Sequence, residues 1–267
     1  MPAYNLYIFD LDGTLYRGSE ALPHAAEVVD ELKKDGAEVR FLTNNSGQTR
    51  EFYANKLRGM GIPAQTEEIY SSAVGAGSFC RDEGLRKLFA VGEPGLISTL
   101  ESFGLEVVNR TANGAAGTQV SDPAQAVVAG IHRDFSYEMM EAAMTQVLHG
   151  ARFLATNTDA TYPLEGERLA PGAGAIVASL RTCTQTDPLV LGKPNPFLIE
   201  MILRECGVPP SETLVVGDRF ETDIESGIRA GCDTHLVLTG VTKEAPAGQR
   251  SSASLLDLVG PRPGAVK

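Results

Sequence analysis

The stretch Tyr4-Asn5-Leu6-Tyr7-Ile8-Phe9-Asp10-Leu11-Asp12-Gly13-Thr14 decides how the rest of the chain is read. Four apolar residues, Leu6 to Phe9, run straight into two carboxylates two residues apart and then a glycine. Side chains alternate along a strand, so Leu6 and Ile8 share one face and Tyr7 and Phe9 the other. Because both faces are apolar, the strand is expected to be central and covered on both sides, as in a parallel sheet. The carboxyl end of such a strand opens into the crevice where α/β sheets bind ligands, and it delivers Asp10 and Asp12 there.

Outward from that run, strands and helices alternate. Ala25, Val28, Val29 and Leu32 form a helical stripe after Pro23, and Gly36 stops it. Residues 37–42 are a second apolar run, ending in Thr43-Asn44-Asn45-Ser46-Gly47. A helix over 50–60, a strand near Ile69 and Tyr70, and a helix over 72–83 follow. This is the pattern of a parallel sheet with right-handed crossovers. From about Gly84 the rhythm restarts, with strands at 87–91, 126–131 and 152–155 and helices through Phe103, over 137–148 and from Ala175. The segment 157–170 is turn-rich without a period, and 182–187 reads as an exit linker. The first rhythm resumes with a strand at 189–191 that ends in Gly192-Lys193-Pro194-Asn195-Pro196. The strand at 213–216 ends in Gly217-Asp218-Arg219, with Asp223 just beyond, and a last strand covers 234–239. The tail from Gly260 is expected to be loosely ordered. The expected organisation is a core of residues 1–83 and 187–267 with an α/β domain, 84–186, inserted.

Composition bounds the function. A chain of 267 residues, 43% hydrophobic, can bury one large core or two. The formal charge of −11, with no basic cluster, argues against nucleic acid. Cys80, Cys183, Cys206 and Cys232 are widely spaced without a C-x-x-C pair, as expected of reduced thiols in the cytoplasm. The N-terminus has no basic region ahead of its apolar run and does not read as a signal peptide. No apolar run approaches the ~20 residues that span a bilayer. Neither nucleic acid nor a membrane is therefore an expected partner.

Four run ends therefore carry two acids, a Thr-Asn pair, a lysine and another acid. In a parallel sheet such ends share one edge, so groups far apart in sequence converge. Carboxylate oxygens suit Mg²⁺, and a hydroxyl, a backbone N–H and an ammonium suit phosphoryl oxygens. Taken singly, each motif also reads as a turn or a helix N-cap.

Together, Asp10-Leu11-Asp12-Gly13-Thr14, Thr43-Asn44-Asn45-Ser46, Gly192-Lys193-Pro194-Asn195-Pro196 and Gly217-Asp218-Arg219-Phe220-Glu221-Thr222-Asp223 resemble the four ordered motifs of the haloacid dehalogenase superfamily. The Thr-Asn-Asn-Ser form and the large insert resemble its NagD-like, p-nitrophenyl-phosphatase-like branch. The resemblance implies a doubly wound parallel sheet with an α/β cap between the second and third motifs. It implies Asp10 as nucleophile, forming an aspartyl-phosphate, and Asp12 as acid/base. Asp10, the carbonyl of Asp12 and Asp218 would hold Mg²⁺, Thr43, Asn44 and Lys193 the phosphoryl group, and Asp223 would orient Lys193 or a metal-bound water.

The implied activity is Mg²⁺-dependent hydrolysis of a small phosphomonoester: a sugar, glycerol, glycolate or nucleoside phosphate. A dehalogenase reading conflicts with Asp12 and Asp218, since displacing halide needs neither leaving-group protonation nor Mg²⁺. A catalytically silent phosphate-binding regulator is the reading from another class, and the full set of acids and the lysine speaks against it. In the insert, Asp159, Tyr162 and Arg168 are the candidates for leaving-group contact. His132 stands where relatives usually carry an aspartate, and it is assigned no role. An exposed apolar face on the insert would let two chains pair.

Overall fold

The computed structural model describes residues 4–163 and 168–259, so the tail expectation from Gly260 lies outside the described residues. The opening run is strand β1 (Leu6–Asp10), followed by a small antiparallel hairpin, β2 (Tyr16–Arg17) and β3 (Glu20–Ala21). Helix α1 (Ala25–Lys34) buries the expected stripe of Ala25, Val28, Val29 and Leu32. Glu27 in its first turn and Lys33 and Lys34 in its last complement the helix dipole. Then come β4 (Glu38–Thr43), α2 (Arg50–Gly59), β5 (Ile69–Ser71) and α3 (Ser72–Asp82). Ser71 caps α3 by accepting the Val74 N–H.

The middle of the chain contains β6 (Lys87–Val91), α4 (Pro94–Ser102), β7 (Glu106–Val107), β8 (Ala126–Ala129), α5 (Tyr137–Leu148) and β9 (Arg152–Ala155). It continues through β10 (Thr161–Pro163), β11 (Leu169–Pro171), α6 (Ala173–Thr184) and β12 (Leu189–Val190). The last part holds α7 (Phe197–Cys206), β13 (Thr213–Gly217), a π-helical turn over Phe220–Ile224, α8 (Glu225–Arg229), β14 (Asp233–Val237) and β15 (Ser251–Ser252).

One sheet has six strands in the order β15-β14-β13-β1-β4-β5, and β1 pairs in parallel with both β13 and β4. Tyr7 and Phe9 join the core built on α1, with Val28, Val29, Tyr53 and Leu57. Leu6 and Ile8, on the opposite face, are fully buried as well. Burial on both faces is what the unbroken apolar run required. Each such side chain taken out of water contributes about 1.5–3 kcal/mol. The second sheet has five strands, β12-β9-β8-β6-β7, and its core includes Phe89, Val127, Met139, Phe153, Ile176 and Leu180.

By packing, the chain divides into two compact units: residues 1–43, 53–69 and 193–267, and residues 44–52 and 70–192. These seams differ from the expected ones at 84 and 187. The reason is α3, which packs on α4: a Cβ at Gly77 would lie 2.4 Å from the Phe103 ring. Arg152, from β9, also pairs with Glu83 and lies over the Phe79 ring.

Three further expectations are corrected. The run at 189–191 is not a strand of the first sheet, because β12 pairs with β9 in the second. Residues 182–184 are the last turn of α6 rather than linker. The segment 157–170 contains the antiparallel pair β10 and β11; each has three residues and a proline, too short to show a period. Residues 164–167 of that segment lie outside the described residues.

Candidate active site

Asp10 closes β1, and in register it lies opposite Leu42 of β4, so Thr43 stands one residue beyond it. Strand β13 ends at Gly217, and Asp218 follows. These three groups reach one sheet edge because their strands are parallel neighbours. Lys193 arrives differently, from the connection leading into α7, whose Lys193–Pro194 peptide is cis.

Lys193 Nζ donates to Asp10 Oδ1 at 2.5 Å and to Asp223 Oδ1 at 2.7 Å. Its side chain is 4% exposed, so both pairs are dry. Burial by itself would lower the ammonium's pKa, but the two carboxylates raise it above the ordinary lysine value. Lys193 therefore stays charged. Asp223 is held from its other side: its Oδ2 accepts the backbone N–H groups of Asp218 and Arg219 at 3.1 and 3.0 Å. The π-helical turn carries Asp223 into this position, and such turns often mark functional sites.

Asp218 Oδ2 accepts the Val241 N–H at 2.6 Å. Two glycines make room for its carboxylate. A Cβ at Gly240 would lie 1.7 Å from Asp218 Oδ2, and one at Gly13 would lie 2.5 Å away. Gly13 also has a φ of +92°, which disfavours any larger residue. Thr239 Oγ1 ties this loop to the first by donating to the Gly13 carbonyl at 2.8 Å.

Carboxylate oxygens of Asp10, Asp218 and Asp223 lie within 4.8 Å of one another. Burial raises the pKa of Asp10 well above the carboxylate range; Lys193 opposes the shift, and Asp223 and Asp218 add to it. Burial, with Asp223 beside it, pushes Asp218 up to about 6. Three acids around one lysine leave a negative excess that a divalent cation would neutralise. Asp223 is already satisfied by Lys193 and two amides, so Asp10 and Asp218 are the pair free to ligate. Hard oxygen donors of this kind fit Mg²⁺ or a similar ion. The side chain of Asp12 lies outside this cluster and is exposed to solvent. Desolvation raises its carboxyl pKa, and Lys56 and Arg17 pull it down.

The remaining expected residues belong to the second unit. Asn44 is buried, its Nδ2 donating to the Asp159 carboxylate and its carbonyl accepting from Asn157 and Ser72. Asp159 thus faces Asn44, which its candidacy for leaving-group contact did not anticipate. Arg133 Nε donates to the Tyr162 hydroxyl and Nη1 pairs with Glu93, both at 3.1 Å. His132, Arg133, Tyr162, Phe135 and Ile176 line a cavity of about 440 Å³, and burial lowers the His132 pKa. Arg168 is exposed. The 239–241 loop that fixes Asp218 carries no motif, and nothing in the sequence singled it out.

Residues 7–106 match a family model described as haloacid dehalogenase-like hydrolase, and residues 190–258 match one described as HAD-hydrolase-like. The 5'-nucleotidase YutF of Bacillus subtilis is 37% identical over 244 residues, 91% of this chain and 90% of that protein. An acid sugar phosphatase of Staphylococcus aureus is 35% identical over 243 residues, 91% and 89% of the two chains. The solved structure of NagD from E. coli K-12 superposes with a TM-score of 0.81 at 31% identity, covering 93% of this chain and 95% of that one.

Proposed function

The chain belongs to the haloacid dehalogenase superfamily, in its NagD-like branch, and from that premise we propose that it is a Mg²⁺-dependent phosphatase of small phosphomonoesters acting through an aspartyl-phosphate. The observation that carries this reading is the buried Asp10–Lys193–Asp223 group with Asp218 beside it at the sheet edge.

In this proposal a carboxylate oxygen of Asp10 attacks phosphorus and the ester oxygen leaves, taking a proton from Asp12. In the second half, Asp12 takes a proton from water as that water attacks the aspartyl-phosphate, releasing phosphate and restoring Asp10. The Thr43 hydroxyl and the Asn44 N–H hold phosphoryl oxygens, and Lys193 balances the charge that develops on them. Asp223 keeps the Lys193 ammonium in place. Asp10, the Asp12 carbonyl and Asp218 would hold Mg²⁺, whose charge offsets the repulsion between a carboxylate and a phosphate dianion.

Residues 84–186 are the proposed cap, with Tyr162 and Arg168 as leaving-group candidates. Relatives named 5'-nucleotidase and acid sugar phosphatase support a sugar or nucleoside monophosphate as substrate; glycerol and glycolate phosphates stay on the panel. The test is phosphate release from p-nitrophenyl phosphate and from such a panel. Activity is expected with Mg²⁺ and absent in excess chelator. Asp10→Asn is expected to abolish activity while the circular dichroism spectrum persists; an active Asp10→Asn protein would refute the mechanism.

A further inference from the structure

We propose that Asn157 and Asp159, just beyond β9, are positioning residues for the phosphoryl-binding peptide at Asn44. The inference rests on the function proposed above and adds to it a reason why these residues stand here.

Asn44 directly follows Thr43, and hydrogen bonds with Ser72, Asn157 and Asp159 hold it. Its carbonyl accepts from Ser72 Oγ at 2.5 Å and from Asn157 Nδ2 at 2.7 Å. Its Nδ2 donates to the two Asp159 oxygens at 3.1 and 3.4 Å. The holders are fixed to each other, since the Asp159 N–H donates to Asn157 Oδ1 at 3.1 Å. A second contact lies beside the first: Thr156 Oγ1 donates to Ser46 Oγ at 3.1 Å.

The surroundings leave this cluster little freedom. Asn157 is 4% exposed, and Ser72, Ser46 and Thr156 are fully buried. A Cβ at Gly192 would lie 2.7 Å from Asn44 Oδ1, and one at Gly130 would lie 2.4 Å from Ser46 Oγ. A buried polar network with its partners supplied is rigid, because each displaced group would lose a partner where water cannot replace it. Two bonds to one carbonyl fix the peptide on the C-terminal side of Asn44. The side-chain bond to Asp159 fixes the residue itself. A donor helps a reaction only if it is already aimed when charge develops, so holding Asn44 this way aims its N–H. Asp159 directs its carboxylate at the chain, so its effect reaches the phosphoryl group, which every substrate shares.

The experiment compares Asn157→Ala, Asp159→Ala and Asp159→Asn with the wild type in the full-length protein with Mg²⁺. The probes are p-nitrophenyl phosphate, glucose 6-phosphate, adenosine 5'-monophosphate, and inorganic phosphate as product inhibitor. Asn157→Ala and Asp159→Ala are expected to lower kcat/KM about ten- to a hundredfold, as small misplacements of such groups do. The factor should be the same for every ester that the wild type hydrolyses, and phosphate inhibition should weaken with it. Asp159→Asn keeps an acceptor oxygen for Asn44 and should restore activity to within about threefold. A loss that differs tenfold or more between esters would make Asp159 a leaving-group contact and overturn the proposal, as would folded Ala variants with unchanged kinetics. An inactive wild type would overturn the functional reading itself. If Asn157→Ala does not fold, the Asp159 pair decides, because that residue is only partly buried.

Discussion

Lys193 pairs with two carboxylates, that of Asp10, the proposed nucleophile, and that of Asp223. Removing its ammonium leaves Asp10 and Asp223 facing each other in a dry site. Lys193→Met is expected to lower kcat by about 10²–10³-fold, and loss of one partner from a buried pair costs about 3–5 kcal/mol of stability. Steady-state kinetics and thermal unfolding of the same preparation check both. The pH dependence follows from Asp218, pushed up to about 6 by burial with Asp223 beside it, and from Asp10, raised the same way. A carboxyl whose folded pKa exceeds its unfolded value adds stability in acid, and that stability is lost as pH rises through the folded value. A cation needs the ionised form, so protons compete with it. The rise in Tm on adding Mg²⁺ is therefore expected to grow between about pH 5 and about pH 7.5. Calorimetry with and without chelator reads this, and an equal rise at both values would contradict it. Asp10, Lys193 and Asp218 were legible because each ends a local pattern. The Val241 amide was not, since its contact with Asp218 exists only after folding.

Among the elements, the turn after β13 does the most for the site. An ordinary α-helical start would place Asp223 differently; the π-helical turn brings it back against Gly217, where a Cβ would lie 2.2 Å from Asp223 Cβ. The loop at Gly240 closes on Asp218 even more tightly. Gly240→Ala is expected to displace the Asp218 carboxylate and cost about 1–3 kcal/mol. It should also weaken Mg²⁺ binding by titration calorimetry; unchanged binding in a folded variant would mean that Asp218 has room to spare. Strand β1 tests the core in the same way. Phe9 is fully buried among Val28, Tyr53 and Leu57. Phe9→Ala is expected to cost about 3–5 kcal/mol in denaturant unfolding. The stretch at 189–191 shows the limit of reading by period. Its apolar run is correct for a strand, but a two-residue strand carries no signal of which sheet it joins.

At the scale of the whole chain, α3 belongs with the second unit. Its Gly77 takes the Phe103 ring, its Phe79 lies under Arg152, and its Glu83 pairs with that arginine. A deletion of 84–186 would strip these partners and expose an apolar helix face. Such a protein is expected to aggregate or to unfold at a markedly lower temperature, by size-exclusion chromatography and thermal scan. Well-behaved monomeric protein after that deletion would show that α3 needs none of them. Substrate selectivity is therefore better probed by point substitutions such as those at Tyr162 and Arg168.

By itself the sequence determined the α/β alternation, the buried β1, and the four polar run ends with their acids and lysine. Those signals are local: apolar period, helix stops and short motifs survive without knowing what packs on what. Tertiary structure alone decided that Lys193 comes from a connection rather than a core strand end, and that β12 pairs with β9. It decided that Gly240 and Val241 enclose Asp218 and that Asn157 and Asp159 hold Asn44. Each of these is a close approach between residues far apart in sequence. Such an approach depends on register and side-chain volume after packing, and no local pattern encodes it.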